Sequence, residues 1–410
     1  MMYIKRTIED SILKTSQTFP VLLVTGPRQV GKTTVLKHLA ENDRTYITLD
    51  DPAIRFLAKN DPALFMQRFS PPIIIDEIQY APEILPYIKM EVDRSGKNGE
   101  FWLTGSQMFH MMKNVSESLA GRVGILRLLG LTYSETRGLP SVPFTTEFDR
   151  LLERVDKVQP VTVTEIYRQI YKGGLPALYK NPEVDLETFF ASYINSYLQR
   201  DIRDLTQVAD EMVFYNFMIS IAARTGKPVN YDEISRDAGI SAPTAKRWLS
   251  ILISSGLVAL VQPYSNNMLK RIVKMPLLHF LDTGLCAHLL KWKSPETLEL
   301  GAMSGQFFES WVFSEIYKTY LNAGQEPPLL YYRDKDKREI DLLLHYDNTL
   351  FPVEIKKSAA PQKSTIKHFN VLNPLIKEKQ ISVGSGAIIC MSANLLPLDE
   401  DNSIIPAWLI

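Results

Sequence analysis

The clearest chemistry in the chain sits in eight consecutive residues, Gly26-Pro27-Arg28-Gln29-Val30-Gly31-Lys32-Thr33. Glycine, four residues, then Gly-Lys-Thr is the spacing of a P-loop. Glycines let the backbone curl until successive N–H groups point at one anion. A helix starting at Thr33 adds the positive end of its dipole. ATP is expected across Gly26–Thr34, with Lys32 bridging the β- and γ-phosphates, the Thr33 hydroxyl on Mg2+ and Thr34 closing the segment. A second element must hold the metal. Pro72-Ile73-Ile74-Ile75-Asp76-Glu77 reads as an apolar strand ending in two acids. Asp76 is expected to position Mg2+, through water, and Glu77 to orient or deprotonate the attacking water. Glu77 favours hydrolysis over mere binding. A third apolar run, Phe101-Trp102-Leu103, leads into Thr104-Gly105-Ser106-Gln107. Ser106 or Thr104 is a candidate contact to the γ-phosphate or to water, the alternative being a turn that caps the next helix.

A second constellation lies far down the chain. Glu309 falls in a helical stretch, Asp341 in Arg338-Glu339-Ile340-Asp341-Leu342, and Glu354 and Lys356 in Pro352-Val353-Glu354-Ile355-Lys356. On a strand, Glu354 and Lys356 project to one face. Asp341 followed by Glu354-x-Lys356 resembles the core of the restriction-endonuclease-like nucleases. The resemblance implies Mg2+ on Asp341 and Glu354, with Lys356 steadying water or the scissile phosphate and Glu309 as a further acid. Hard carboxylate oxygens suit Mg2+. The alternative is a solvated sheet edge.

Several elements must position these groups. Val21–Val24, Tyr46–Leu49, Ile73–Ile75, Phe101–Leu103 and Val123–Leu128 read as short buried strands, with helical patterns between several of them. That alternation predicts a parallel sheet with helices on both faces. Residues 4–18 read as an amphipathic helix with Ile4, Ile8, Ile12 and Leu13 on one face. Pro140 and Pro143 mark a break in a Ser/Thr-rich stretch. Residues 148–208 read as mainly helical.

Residues 231–255 read as a helix-turn-helix. Ile234 and Ala238 face a core, Gly239 makes the turn, and Ser241 caps a helix bearing Thr244, Lys246 and Arg247 near its start. Leu257–Val261 and Arg271–Met275 read as strands joined by a wing, Pro263–Lys270. Lys246, Arg247, Lys270, Arg271 and Lys274 are the only charged residues in 241–280. DNA contact through Thr244, Lys246, Arg247, Lys270 and Arg271 is the functional expectation. The alternative is that the unit packs on the ATPase or mediates assembly, including a homo-oligomer. The expected fold is α/β: a parallel-sheet P-loop NTPase domain over 1–140, a helical and winged-helix middle over 141–290, and an α/β restriction-endonuclease-like domain over 291–410.

Together these stretches resemble a family of bacterial and archaeal AAA-type P-loop ATPases whose C-terminal domain has no characterised function. Gly26–Thr34 and Ile74-Ile75-Asp76-Glu77-Ile78-Gln79 carry the resemblance most specifically. Leu103-Thr104-Gly105-Ser106, Leu119-Ala120-Gly121-Arg122, Gly173-Gly174-Leu175-Pro176 and Tyr197-Leu198-Gln199-Arg200-Asp201-Ile202 follow in the family's order. It implies that Arg122 could serve as an arginine finger or phosphate sensor, unless it is a structural arginine. It also implies that Pro176 lies against the adenine, unless its turn only breaks a helix.

Composition sets the outer limits. With 46 basic and 46 acidic residues among 410, the chain is no uniformly basic nucleic-acid binder. Its length suggests two to four domains at roughly 100–200 residues each. Two cysteines, Cys286 and Cys390, exclude both a disulfide framework and a four-cysteine zinc site. No stretch approaches the ~18 apolar residues of a membrane span. No membrane partner and a cytoplasmic setting are expected.

Overall fold

The computed structural model describes residues 3–106, 115, 117–181, 183–197, 211–265, 275–373, 376 and 381–410. Five short strands, β1 (Val21–Thr25), β2 (Thr45–Thr48), β3 (Ile73–Asp76), β4 (Phe101–Gly105) and β5 (Val123–Arg127), form a parallel sheet ordered β2-β3-β4-β1-β5. β1, β3 and β4 are buried throughout, as strands covered on both faces must be. Successive side chains feed opposite cores. Leu22 and Val24 pack with Val35, Leu36, Ile74 and Trp102. Val21 and Leu23 pack with Ile73, Ile75, Ile88, Phe101 and Leu103. The covering helices are α1 (Glu9–Thr18), α2 (Lys32–Ala40), α3 (Pro52–Asn60), α4 (Pro62–Arg68) and α5 (Leu85–Ser95). Each fully buried aliphatic side chain contributes about 1.5–3 kcal/mol, so packing rather than strand propensity holds four-residue strands. Val21 pairs with both Phe101 and Val123, and Ile73 with Phe101. That register brings Thr25, Asp76 and Gly105 to one edge of the sheet.

The helix expected over 4–18 begins only at Glu9. The segment before it is held otherwise: the Tyr3 hydroxyl and the Arg6 N–H donate to the Glu9 carboxylate at 2.7 and 2.6 Å. Ile8 and Ile12 are buried as expected, but Leu13 is 40% exposed. One residue beyond Ile12 is a rotation of about 100° around the helix.

Helices α6 (Tyr133–Thr136), α7 (Phe148–Val155), α8 (Val163–Lys172), α9 (Ala177–Lys180), α10 (Leu186–Tyr197) and α11 (Glu211–Ala222) form the middle stretch. Then α12 (Tyr231–Ala238) and α13 (Ala242–Ser254) meet at Gly239, whose φ of 67° strains any L side chain. Ser241 caps α13 by accepting from the Thr244 N–H at 3.2 Å. Trp248 packs inward on Phe214 and Phe217, at ring-centroid distances of 4.9 and 5.4 Å. β7 (Val258–Pro263) and β8 (Leu277–Phe280) pair antiparallel, with β6 (Lys227–Pro228) outside β8. The strand expected over 271–275 lies, but for Met275, outside the described residues. In β8 itself, Leu277–Phe280 are buried at every position. The expected wing, Pro263–Lys270, is described only as far as Ser265.

The C-terminal stretch contains α14 (Thr283–Leu289), α15 (Pro295–Leu300), α16 (Ser304–Asn322), β9 (Leu329–Arg333), β10 (Glu339–Tyr346), β11 (Thr349–Lys356), β12 (Ser382–Val383), β13 (Gly386–Cys390), β14 (Leu396–Pro397) and β15 (Asn402–Pro406). A 3₁₀ run, Lys363–Leu372, follows β11. β9, β10 and β11 are antiparallel, while β11, β13 and β15 are parallel. β7 also pairs with β9, through Gln262 with Leu330 and Pro263 with Tyr331. The Tyr264 N–H extends that join by donating to the Tyr331 carbonyl at 2.6 Å. One ten-stranded sheet thus runs from the helix-turn-helix into the C-terminal unit.

Buried contacts tie this lower half to the segment that follows the first sheet. The buried Lys318 ammonium of α16 donates to the Leu131 carbonyl at 2.9 Å and to Glu315 at 2.6 Å. Glu315 in turn accepts from the Tyr133 N–H at 2.7 Å. The turn after α13 rests on the P-loop itself: a Cβ at Gly256 would lie 3.0 Å from Pro27 Cδ and 3.2 Å from Leu129 Cδ2.

Candidate functional site

The P-loop leaves β1 at Gly26, where no side chain fits: a Cβ would meet the Leu128 carbonyl oxygen at 1.9 Å. Gly31, at φ 93°, caps α2 and ends the loop. The buried Lys32 ammonium donates to the Gly26 and Pro27 carbonyls at 3.0 and 2.8 Å. Arg28 reaches the Tyr80 hydroxyl at 3.5 Å, Gln29 has a positive φ of 61°, Val30 is buried, and Thr34 is exposed on α2.

Asp76, at the end of β3, gathers three hydroxyls. Thr33 and Thr104 donate to its Oδ1 at 2.6 and 2.5 Å, and Tyr46 donates to Oδ2 at 3.0 Å. Burial, then the Asp76 charge, pushes the Tyr46 phenol up to about 12, so it remains a donor. Glu77 turns off the strand at φ 59°, a left-handed conformation that costs an L residue about 1–2 kcal/mol. Its N–H donates to Thr104 Oγ1 at 3.0 Å. Its carboxylate accepts from Ser106 Oγ at 3.2 Å and from the Gln79 amide. The Gln79 Oε1 atom is buried with no protein partner among the described residues. Both hydroxyl candidates, Thr104 on β4 and Ser106 just past its end, are therefore in the site, in different roles: Thr104 supports Asp76 and the Glu77 backbone, and Ser106 holds the Glu77 side chain.

Residues 18–137, which contain all of these groups, match the family model of the AAA domain. This part of the chain is an AAA domain. Behind the AAA domain, residues 163–296 and 304–410 match two domains of unknown function, DUF8612 and DUF4143. Uncharacterized proteins of Mycobacterium bovis and Mycobacterium tuberculosis are each 28% identical to this chain over 391 residues, 95% of this chain and 80% of theirs. Among solved structures, a Walker-type ATPase of Pyrococcus abyssi is similar at 16% identity with a TM-score of 0.43, over 70% of this chain and 96% of that one. The RuvB Holliday junction branch migration motor of Thermotoga maritima is similar at 17% identity with a TM-score of 0.29, over 65% and 94%.

The structure does not bring Arg122 to the loop of the AAA domain. Arg122 precedes β5, and its carbonyl accepts from the Val21 N–H at the start of β1. It stands a strand's length from the phosphate edge, roughly 16 Å at ~3.3 Å per residue. Its guanidinium is occupied there by Asp93 and by the Ala120 carbonyl. Pro176 is the N-cap of α9, in a turn packed on the segment after β5, where the Leu131 N–H donates to the Gly174 carbonyl at 2.6 Å. The half-buried Asp282 fastens that turn by accepting from the Gly174 N–H at 2.9 Å. In the helix-turn-helix, Lys246 and Arg247 are exposed and Thr244 is half-buried. Lys270, Arg271 and Leu198–Ile202 lie outside the described residues. Among those described, no helix is long and apolar enough to cross a membrane.

The second constellation does assemble. A cleft of about 730 Å3 opens over β10 and β11, lined by Glu339, Asp341, Glu354 and Lys356, with Lys357 and His368 at its side. Lys356 Nζ lies 2.7 Å from both Asp341 Oδ2 and Glu354 Oε2. The Ile355 N–H donates to Asp341 Oδ2 at 2.8 Å, fixing that carboxylate across the strand pair. Burial, then the Asp341 charge, pushes Glu354 up to about 8. The same two causes raise Glu309 well above the carboxylate range. Burial opposes the Lys356 charge, but Asp341 and Glu354 together outweigh it and hold the ammonium above its ordinary value. Among the described residues, no three His, Cys, Asp or Glu side chains are spaced as a ready metal site; here the acids close on an ammonium instead.

Proposed function

We propose that this chain hydrolyses ATP in a Mg2+-dependent reaction at the P-loop of its AAA domain. The observation that carries the reading is the convergence of Thr33 and Thr104 on Asp76, beside a Glu77 held by Ser106 and Gln79. Lys32 and the loop amides take the phosphates. The donor set suits a hard cation: with its proton given to Asp76, the Thr33 oxygen keeps lone pairs free, and every neighbouring donor is oxygen. Bound Mg2+ would neutralise charge on the β- and γ-phosphates. Glu77 orients and deprotonates water, with Ser106 and the unmet Gln79 Oε1 able to hold that water in place. Lys32→Ala should abolish hydrolysis while the protein melts like its parent. A folded Lys32→Ala that turns over ATP at the parental rate would end the assignment.

ATP turnover then acts on the lower half, whose helix-turn-helix offers exposed Lys246 and Arg247 to DNA. A second reading, a Mg2+-dependent nuclease switched by ATP, is favoured by the meeting of Asp341, Glu354 and Lys356 in one cleft. Incubation with plasmid and Mg2+, beside Asp341→Ala, tests it. Plasmid left intact, or cut equally by the variant, rejects it.

A further inference from the structure

Arg6 lies outside every motif considered so far, yet it is 4% exposed and makes four separate attachments. Its Nη1 donates to the Val30 carbonyl at 2.9 Å. Its Nη2 donates to the Leu129 carbonyl at 2.9 Å and to the Gly130 carbonyl at 3.4 Å. Its Nε pairs with Glu135 at 3.2 Å. Glu135 is itself fixed, accepting from the Thr7 N–H at 2.7 Å and from the Thr132 N–H at 2.9 Å. We infer that Arg6 is the positioning residue of the P-loop, setting the Val30–Gly31 peptide in its phosphate-binding orientation. This rests on the ATP reading above.

The argument is geometric. A trans peptide is planar, with C=O and N–H on opposite sides. Among the described residues the one cis bond is Pro71–Pro72, so Val30–Gly31 is trans. Drawing the Val30 carbonyl outward onto a buried guanidinium therefore turns the Gly31 N–H the other way. That N–H opens the run of loop amides that cradle phosphate in this motif. The other end of the loop is already fixed to the same support. Gly26 lies against the Leu128 backbone, and the Leu128 N–H donates to the Thr25 carbonyl at 2.8 Å. Arg6 fastens the far end to Leu129 and Gly130, so the chain after β5 holds the loop at both ends. Only a planar fork with five donors can bridge three carbonyls and a carboxylate; a lysine ammonium is a single point.

Two variants separate the fork from the charge. Arg6→Lys keeps a cation beside Glu135 but cannot span the carbonyls. Arg6→Met with Glu135→Gln removes both charges and leaves no unpaired buried ion. Each is checked for folding by thermal melting, then titrated with a fluorescent ATP analogue and with ADP, and assayed for kcat and KM. Both should lose affinity for ATP and ADP roughly ten-fold, the weight of a hydrogen bond to a charged group. KM should rise by a similar factor, with kcat changed less. A merely structural role would lower Tm without that split. Parental affinity in either folded variant overturns the role of Arg6 alone. A parent that binds neither nucleotide overturns the P-loop reading and this inference together. If Arg6→Lys does not fold, the paired replacement decides.

Discussion

Gly256→Ala isolates the contact between the helix-turn-helix and the P-loop. Two costs follow from the geometry. At φ 72° an L side chain pays a backbone penalty of about 1–2 kcal/mol. The new Cβ would also sit 3.0 Å from Pro27 Cδ and 3.2 Å from Leu129 Cδ2. The proline ring cannot rotate aside, and overpacking of this kind costs about 1–3 kcal/mol. Gly239 supplies the control, since it has φ 67° but nothing within 4 Å of its would-be Cβ. Gly239→Ala should thus lose about 1–2 kcal/mol and Gly256→Ala about 2–5 kcal/mol. Urea denaturation of both variants measures the gap. Pro27 is the second residue of the loop, so relief of the overlap shifts the phosphate cradle. ATP affinity should fall several-fold in Gly256→Ala and hold in Gly239→Ala. Equal losses of stability with parental ATP binding in both would refute the reasoning.

Glu77→Gln should bind ATP but turn over roughly 10²–10⁴-fold more slowly, as loss of a general base does; single-turnover kinetics at parental speed would remove Glu77 from catalysis. Glu354 holds its proton up to about 8 in the folded protein and only to about 4.5 when unfolded. The folded state binds more protons between those values, so the associated stability is complete below about 4.5 and fades as pH rises through about 8. Glu354→Gln should flatten that decline in urea melts taken across the window, and identical slopes for parent and variant would contradict it. Alanine at both Lys246 and Arg247 should reduce the slope of log affinity for duplex DNA against log salt by about 1.8, at ~0.9 per phosphate contact; an unchanged slope means these two do not touch the backbone.

The nucleotide half of the site was legible because its chemistry is contiguous. Gly26–Thr33 and Asp76–Glu77 each need only one strand end and one turn. Their supports were legible only in part: Thr104 and Ser106 could be named as candidates, but not the partners they would find. Thr104 reaches Asp76 across 28 residues, and Tyr46 reaches it across 30. Nothing in Thr45-Tyr46-Ile47-Thr48 marks Tyr46 before β2 is set beside β3. Arg6 is further removed, since its value lies in backbone carbonyls that carry no sequence signature. The placing of Arg122 was within reach of the sequence. A residue ahead of a parallel strand lies at the edge opposite the ligand, which binds at the strands' carboxyl ends. The trio Asp341, Glu354 and Lys356 could be read because two adjacent strands supply it. The join of β7 to β9 could not, since two residue pairs link segments more than sixty positions apart.

That join governs how the protein can be taken apart. A break near residue 290 follows the domain boundary expected from the sequence, yet it would separate β7 from β9 and bare a strand border on each fragment. Unpaired N–H and C=O groups along such borders recruit other strands. Severed halves should stick to one another, or to copies of themselves, before they behave as independent pieces. The same join makes one continuous sheet of β7, which follows the Gly256 turn, and the strands bearing Asp341 and Glu354.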